Sequence, residues 1–204
     1  MAIIKENVIF IHVPKNAGIS IGHSFLCDSK YIGDHTRVND EHVNDTFNKF
    51  MVCRNPFDRL ISSYEYQKKM ADLNILKEFK QRIFLREKRN QDFSKFVDFV
   101  YTNLLLDELH TRPQKYWTLS KRNIPLKNLK VIRFENLQND LDQYFTQIKM
   151  SPIKIKEENA SIRSSFFNYY SNPKVISQVQ ELYKQDFKYF NYSTDIKNAT
   201  YDKK

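Results

Sequence analysis

The sequence predicts an α/β fold in which a central parallel sheet is flanked by helices, all within a single domain over residues 1–204. Short apolar runs rich in β-branched and aromatic residues alternate with longer stretches of helical character, the order of elements typical of such sheets. The chain has 204 residues, of which 41% are hydrophobic and 14% aromatic, enough for one substantial core. No internal repeat, low-complexity segment or long Gly/Ser/Pro linker divides it.

Three apolar runs have the length and composition of buried strands. They cover residues 7–13 (NVIFIHV), 50–53 (FMVC) and 130–134 (KVIRF), with residues 30–32 as a shorter candidate. Pro14 follows the first run directly, and Pro56 follows the second closely. Because proline cannot donate a hydrogen bond to a neighbouring strand, both prolines mark strand ends.

Helical patterns fill the intervals between these runs. Residues 20–26, 56–69, 135–148 and 173–183 are predicted as helices, and Pro56 is acceptable because it falls in a first turn. Apolar residues recur at i, i+3, i+4, i+7 and i+11 from Phe93 to Leu104, which predicts an amphipathic helix. Residues 71–89 are also helical in character and heavily basic.

The formal charge of +9 favours anionic partners, such as nucleotides, acidic glycans, nucleic acid or membrane surfaces, without choosing among them. Cys27 and Cys53 provide neither a disulfide framework nor metal-ligand spacing, so we expect two buried free thiols. No run approaches the roughly 20 apolar residues of a membrane span, and the first residues lack the pattern of a signal peptide. We therefore expect a protein of the reducing cytoplasm.

The segment His12-Val13-Pro14-Lys15-Asn16-Ala17-Gly18-Ile19-Ser20 joins the first predicted strand to the first predicted helix. Free backbone N–H groups and the positive end of the helix dipole make such a junction an anion site. Gly18 would let the backbone approach a ligand, Lys15 adds a positive charge and Ser20 adds a hydroxyl. The triphosphate-binding pattern GxxxxGK[ST] is absent. The alternative is an ordinary β–α turn in which Lys15 is solvated.

A second group of polar residues follows the second predicted strand, within residues 51–66 (MVCRNPFDRLISSYEY). Arg54 leaves the strand, and Ser62 falls two helical turns later. A guanidinium fork and a hydroxyl can hold one phosphate together. The alternative is that Arg54 and Arg59 are surface or ion-pair residues and that Ser62 is an incidental helix position.

Together the two segments resemble the carbohydrate sulfotransferase family, which includes the heparan sulfate 2-O- and chondroitin-type enzymes and their bacterial relatives. HVPKNAGISI is similar to the 5′-phosphosulfate loop of that family, HxPKTAGTS, and VCRNPFDRLISSY is similar to its 3′-phosphate motif, VRxPFxRLxSxY. The resemblance continues, in the order of the family, through residues 110–114, 131–141, 159–161 and 182–192. It covers nearly the whole chain and implies the P-loop-like sulfotransferase fold.

The resemblance implies a sulfotransferase that uses 3′-phosphoadenosine 5′-phosphosulfate (PAPS) as co-substrate and needs no metal. The acceptor it implies is a hydroxyl group on a saccharide or another hydroxyl-bearing compound, and the positive charge of the chain admits an anionic one. Lys15 would be catalytic, because it can stabilise the charge that grows on the oxygen bridging phosphorus and sulfur. The residues implied to bind the co-substrate are Lys15, Asn16, Ala17, Gly18, Ile19, Ser20, Arg54 and Ser62.

Two positions of the loop depart from the family pattern, because Asn16 and Ile19 stand where threonines are usual. Asn16 can still donate a hydrogen bond, whereas Ile19 has no side-chain hydroxyl. We therefore expect weakened or reshaped binding through the backbone N–H groups that remain. The alternative function is a catalytically degenerate nucleotide- or glycan-binding module of the same fold.

An acceptor hydroxyl needs a general base, and imidazole titrates in the useful range. His35 is the first candidate because it follows the short predicted strand at residues 30–32 and resembles in position the catalytic histidine of the heparan 2-O enzymes. Asp34 and Glu41 are the alternatives, and His110 is the second choice among the five histidines. The candidates for contacts with the acceptor or the donor are His110, Gln114 and Arg163.

The basic stretch within residues 68–89 could bind an anionic glycan, although such runs are more often the solvated face of a helix. A kinase-like phosphotransferase is disfavoured because the sequence has neither the triphosphate loop nor a convincing set of metal ligands. Nucleic-acid binding is supported by charge alone, since the aromatic residues have the spacing of a core rather than of a stacking platform. We expect no nucleic-acid partner and no transmembrane segment.

Overall fold

A computed structural model of the chain describes six stretches of residues. They are 3–5, 7–26, 35–44, 46–73, 84–156 and 166–199. The chain divides into two compact units, the first made of Met1–Arg54 and Gln114–Ala160 and the second of Asn55–Pro113 and Ser161–Lys204. The helices are α1 (Gly18–Leu26), α2 (Pro56–Asp72), α3 (Phe93–Thr102), α4 (Leu137–Gln147), α5 (Phe166–Tyr169), α6 (Pro173–Leu182) and α7 (Lys184–Tyr189).

A four-stranded sheet forms the centre of the first unit. Its strands follow the order β1 (Ile3–Lys5), β2 (Val8–Ile11), β3 (Asn48–Cys53) and β4 (Leu129–Arg133). β2, β3 and β4 are parallel, with Ile11 opposite Met51 and Cys53 opposite Arg133, whereas β1 is antiparallel to β2. Parallel neighbours need a crossover connection, and α1 lies in the one between β2 and β3.

An aromatic cluster fixes α1 and α4 to this sheet. Phe10 of β2 and Phe50 of β3 stack with their ring centroids 4.9 Å apart. Phe25 of α1 and Phe145 of α4 meet Phe50 at 5.8 Å and 5.7 Å. All four rings are buried, and burial of one such side chain contributes about 2–3 kcal/mol. The N-terminus of α1 is therefore held firmly at the carboxyl end of β2.

The second unit is helical and has an aromatic core of its own. Asn55 caps α2 by accepting a hydrogen bond from the N–H of Phe57 at 3.0 Å. The buried hydroxyls of Tyr170 and Tyr183 donate to the backbone oxygens of Phe57 and Thr111 at 2.7 Å and 2.8 Å. Burial raises the pKa of both phenols, so both stay neutral at physiological pH.

The predicted α/β class is confirmed, and the three longer strand predictions match β2, β3 and β4 to within two residues. β1 was not predicted, because three residues are too few to show a periodic pattern. The helix predicted to reach Leu104 ends at Thr102, since Leu104 adopts a left-handed φ of 48°. Cys53 is a buried free thiol, as expected. The single-domain boundary at residues 1–204 stays a prediction.

Some expectations fall outside the described residues. These concern Cys27, the strand at residues 30–32, and residues 74–83 of the basic stretch. Where the basic stretch is described, α2 ends at Asp72 and a short 3-10 turn covers Lys88–Asn90. Among the helices that the structure describes, none combines the length and the apolar character needed to span a bilayer.

Tyr144, in the core of the first unit, predicts a loss of stability at alkaline pH. Its hydroxyl donates to the backbone oxygen of Lys49 at 3.4 Å, and burial raises its pKa from 10.0 to about 12. The unfolded chain releases this proton near pH 10 while the native protein keeps it, so stability present below pH 10 is lost as the pH rises towards 12. Between pH 9 and pH 11 we expect wild type to lose about 1 kcal/mol more than Tyr144→Phe in urea unfolding. Equal losses would contradict this assignment.

Candidate functional site

The loop between β2 and α1 alternates in backbone handedness. Lys15 and Ala17 have positive φ angles of 69° and 60°, and Asn16 between them does not. A left-handed conformation costs a non-glycine residue roughly 1–2 kcal/mol, so the surrounding structure must impose it. Alternation of this kind turns successive N–H groups into one concavity, which is the geometry of an anion-binding nest.

Helix α1 extends this concavity with its own first turn. The backbone oxygen of Ala17 accepts the N–H of Ile21 at 3.0 Å, so Ala17 caps the helix. The N–H groups of the next three residues have no acceptor within the helix, and the first turn contains no acidic side chain. Ile19 is half-buried and Ser20 is buried there. The loop and the helix dipole therefore fit a bound anion.

The imidazole of His12 explains why residue 18 is a glycine. A Cβ atom at Gly18 would lie 1.8 Å from Cδ2 and 1.9 Å from Nε2 of His12. His12 follows β2, is 2% exposed, and has Phe10 stacked 6.0 Å from its ring. The absence of a side chain at Gly18 therefore makes room for the ring of His12, and the approach of the Gly18 backbone to a ligand stays a prediction.

His35 lies against His12, beside the loop. The two ring centroids are 4.2 Å apart, and Nδ1 of His35 is 3.3 Å from the backbone oxygen of His12. The indole N–H of Trp117 donates to the backbone oxygen of His35 at 3.3 Å. Because a carbonyl oxygen only accepts, the contact with His12 places the proton of the neutral ring on Nδ1. Nε2 is then the basic nitrogen, as a general base requires.

Arg54 joins the ends of the three parallel strands. It directly follows β3, and its Nη1 donates to the backbone oxygen of Lys15 at 2.9 Å, in the loop that follows β2. Its guanidinium carbon lies 4.0 Å from the ring centroid of Phe134, the residue after β4. In open α/β sheets, ligands bind outside the carboxyl ends of the strands. The predicted loop and Arg54 therefore meet at the expected edge of the sheet.

The side chains of Asn16 and Gln114 are turned into the protein. Nδ2 of Asn16 donates to the backbone oxygen of Val52 and to Oε1 of Gln114, both at 2.6 Å. Asn16 is 1% exposed and Gln114 is completely buried. The side-chain hydrogen bonds that the sequence allowed Asn16 to give a ligand are given to the protein instead. Its backbone N–H is the group that it offers at the loop.

A profile of the Sulfotransferase family matches residues 4–193. The chain belongs to the sulfotransferase family. Membership supports sulfuryl transfer as the activity and implies a sulfate donor and an acceptor substrate. Searches of curated proteins and of solved structures return no match at the stringency applied.

Two residues predicted for the sulfotransferase site belong to the second unit. Ser62 lies on α2 and is 6% exposed, and His110 is 8% exposed. Nδ1 of His110 lies 3.0 Å from Nε2 of Gln67, and its ring centroid is 5.0 Å from that of Tyr66. His110 is thus packed and hydrogen-bonded against α2, and the roles given to it and to Ser62 stay predictions.

The other residues predicted for the site are either exposed or outside the described part of the chain. Glu41, an alternative base, is exposed and accepts a hydrogen bond from Asn39 at 3.2 Å. Asp34, Arg163 and residues 159–161 lie outside the described residues. Within the part of the chain that the structure describes, no three His, Cys, Asp or Glu side chains are grouped to hold a metal ion.

Phe134 and Trp117 contact Arg54 and His35 of the candidate site but were missed in the sequence. A usable signal existed for Phe134, because it is the last residue of the third predicted strand and so lies at the same edge of the sheet as Arg54. Trp117 carried no such signal, since nothing local shows that its indole would reach residue 35. Both support the polar residues that the motifs did identify.

Proposed function

We propose that the chain transfers a sulfuryl group from PAPS to a hydroxyl group of an anionic saccharide. The observation that carries the proposal is the nest at residues 15–17, where a helix N-terminus and the charge of Lys15 meet. Arg54, bonded to the backbone of that nest, offers a guanidinium for a second phosphate. A donor with both a 5′-phosphosulfate and a 3′-phosphate matches two cationic groups at one sheet edge.

The co-substrate, when bound, supplies the sulfuryl group on its 5′-phosphate. Transfer breaks the bond from sulfur to the bridging oxygen and forms a bond from sulfur to the acceptor oxygen, so an electron pair remains on the bridging oxygen. Lys15 and the first-turn N–H groups of α1 stabilise that developing charge. Nε2 of His35 accepts the proton that the acceptor hydroxyl loses.

Calorimetry with 3′-phosphoadenosine 5′-phosphate, the product nucleotide, tests the donor. We expect binding in the micromolar range. An absence of binding at micromolar protein would contradict both the enzyme and the nucleotide-binding module. If the nucleotide binds, transfer of labelled sulfate to a panel of glycans distinguishes the two, because the degenerate module would bind the nucleotide without transferring sulfate.

A basic hairpin in the first unit supports an anionic acceptor. We use this name for residues 115–127, in which Leu119 and Pro125 form an antiparallel bridge. Between Gln114 and Phe134 the chain has six basic residues and no acidic one. They are Lys115, Lys121, Arg122, Lys127, Lys130 and Arg133. Arg122 pairs with Asp40 at 3.4 Å, and the concentration of positive charge on the other five residues attracts polyanions.

The hairpin is anchored beside the segment that carries His35. Arg37 donates to Oδ1 of Asn123 at 2.6 Å and to the backbone oxygen of Lys121 at 2.8 Å. Its guanidinium carbon also lies 4.2 Å from the ring centroid of Tyr116. The hydroxyl of Ser120 and the backbone N–H of Arg122 bond to the carboxylate of Asp40 and hold its pKa below the usual value. These contacts hold the hairpin against Arg37 and Asp40, in the segment that also carries His35.

The basic stretch first considered for glycan binding is a weaker candidate in the second unit. Lys88 pairs with Asp72 at 2.7 Å, and Arg89 pairs with Glu87 at 2.6 Å. These four side chains are well exposed, as expected for the solvated face of a helical segment. The paired acids reduce the attraction that this stretch offers to a polyanion.

Neutralising the basic hairpin should weaken binding of an acidic polysaccharide. Lys121 and Lys127 are both exposed. We expect the double variant Lys121→Ser/Lys127→Ser to bind unsulfated heparosan about tenfold more weakly at low salt, with a smaller difference at high salt. The matched control is Lys154→Ser/Lys156→Ser, which removes the same charge from exposed positions of the same unit. Equal weakening by both double variants would show that net charge alone, and not the hairpin, attracts the glycan.

A further inference from the structure

The side-chain amide of Gln114 makes the hydrogen bonds with the backbone of Arg54 that a neighbouring strand would otherwise make. The ladder between β3 and β4 ends at Cys53 and Arg133, so Arg54 is the first residue beyond the paired strands. Nε2 of Gln114 donates to the backbone oxygen of Arg54, and Oε1 accepts its backbone N–H, both at 2.9 Å. A planar amide that meets both backbone groups in this way fixes the direction in which the Arg54 side chain leaves the sheet.

The same amide also holds the loop. Oε1 of Gln114 accepts a second hydrogen bond, from Nδ2 of Asn16 at 2.6 Å. The other hydrogen of that Asn16 amide goes to the backbone oxygen of Val52 at 2.6 Å. Asn16 lies between the two left-handed residues of the nest, so its attachment to the end of β3 holds the handedness that Lys15 and Ala17 require.

The donors and acceptors around the Asn16 and Gln114 amides account for the orientation and the burial of both side chains. Both hydrogens of the Asn16 amide point at oxygens that only accept, and its buried Oδ1 has no hydrogen-bond partner among the described residues. An unmade bond in a buried group is costly, so the orientation is justified by the two bonds it does make. Gln114 is completely buried and bonded to protein at both ends of its amide, which is the environment of a support and not of a ligand contact.

We propose that Gln114 is a positioning residue that couples the nest at residues 15–17 to Arg54, so that the two phosphate sites form or fail together. The proposal rests on the proposed function for the identity of the ligand, but the coupling of loop and strand end can be measured without one. In this role Gln114, which the sequence predicted to contact the donor or the acceptor, acts instead through its hydrogen bonds to Asn16 and Arg54.

The test replaces Gln114 by glutamate, which has almost the same shape. Oε1 remains as an acceptor, but the second oxygen faces the backbone oxygen of Arg54 and cannot donate to it. In the ligand-free protein we expect the backbone amides of Ile21 and Arg54, which donate to Ala17 and to Gln114, to exchange with deuterium at least tenfold faster than in wild type. We also expect the affinities for adenosine 5′-monophosphate and adenosine 3′-monophosphate each to fall at least tenfold.

Gln138→Glu is the matched control in the same unit. The Gln138 amide also bridges protein groups, donating to the backbone oxygen of Ile153 at 2.9 Å and accepting from Ile155 at 3.0 Å. This variant should lower stability without changing the exchange of the Ile21 and Arg54 amides or either affinity. If Gln114→Glu fails to fold, Gln114→Met keeps the shape without the carboxylate and replaces it in every measurement.

The outcomes separate this inference from the proposed function. Loss of affinity for just one of the two monophosphates, or unchanged exchange of the Ile21 and Arg54 amides, would overturn the coupling. Changes equal to those in Gln138→Glu would reduce Gln114 to a general stabiliser and also overturn it. If wild type binds neither monophosphate, the proposed function fails, while the exchange of the Ile21 and Arg54 amides still decides whether Gln114 holds the loop.

Discussion

Replacing Lys15 by methionine is expected to slow sulfuryl transfer about 1000-fold while weakening binding of the product nucleotide only about tenfold. The charge on the bridging oxygen grows during transfer, so a cation beside it interacts most strongly with the transition state. The nest amides remain in the variant and continue to bind the ground state. The readouts are single-turnover transfer of labelled sulfate and calorimetric titration with 3′-phosphoadenosine 5′-phosphate.

The backbone conformation of the loop should not change when methionine replaces Lys15. Methionine keeps the length of the side chain, and the left-handed φ of 69° at Lys15 costs both residues about the same. The backbone oxygen of Lys15, which accepts Nη1 of Arg54, is unaffected. Lys15→Arg should retain part of the rate because the charge remains, and Lys154→Met, at an exposed position of the same unit outside the basic hairpin, should retain all of it. Parallel losses of rate and affinity would instead indicate uniform binding of substrate and transition state.

The sheet could be predicted because its signal is local. β2 and residues 50–53 of β3 are continuous buried apolar runs, as expected for parallel strands covered on both faces, and prolines lie just beyond their ends. In β4 only Ile132 is buried, yet the apolar residues within the run at 130–134 were enough to identify the strand. The division into two compact units could not be predicted, because each unit combines segments distant in sequence and no linker marks the boundary.

The sequence predicted which residue types form the candidate site, but not the contacts that hold them in place. The motifs around Lys15 and Arg54 identified an anion loop and a cation, and the parallel strands imply that both lie at one edge of the sheet. The left-handed angles at Lys15 and Ala17 left no trace in composition, since neither residue is a glycine. The hydrogen bond between Asn16 and Gln114 joins residues 98 positions apart, and no periodic pattern in the sequence indicates such a contact.

The departures from the family pattern acquire a physical meaning from these contacts. Asn16 uses both hydrogens of its amide to bind Val52 and Gln114, whereas a threonine hydroxyl has a single hydrogen to donate. The asparagine therefore ties the loop to two partners at once, at the expense of an unsatisfied Oδ1. The substitution fits a loop held by an additional internal bond, which favours donor binding through the backbone.

Gly18→Ala is expected to destabilise the protein by about 2–4 kcal/mol, since the added methyl group would overlap the ring of His12. The ring has little freedom to move away, because it is 2% exposed and lies against Phe10 and His35. Gly18 shows no positive φ that would itself exclude alanine, so steric overlap accounts for the whole effect. Urea unfolding measures the loss of stability, and nucleotide titration should show binding lost with it.

A double-mutant cycle with His12→Ala isolates the cause. Removing the ring leaves a cavity and should cost about 2–4 kcal/mol by itself. In that background Gly18→Ala no longer meets an obstacle, and alanine has the higher helix propensity, so the second substitution should be neutral or stabilising by up to about 1 kcal/mol. This reversal of sign is the decisive result, because a glycine needed for backbone conformation or for approach of a ligand would be damaged equally in both backgrounds. The double variant should therefore be about as stable as His12→Ala alone, and urea unfolding of all four proteins gives the sign of the second substitution in each background.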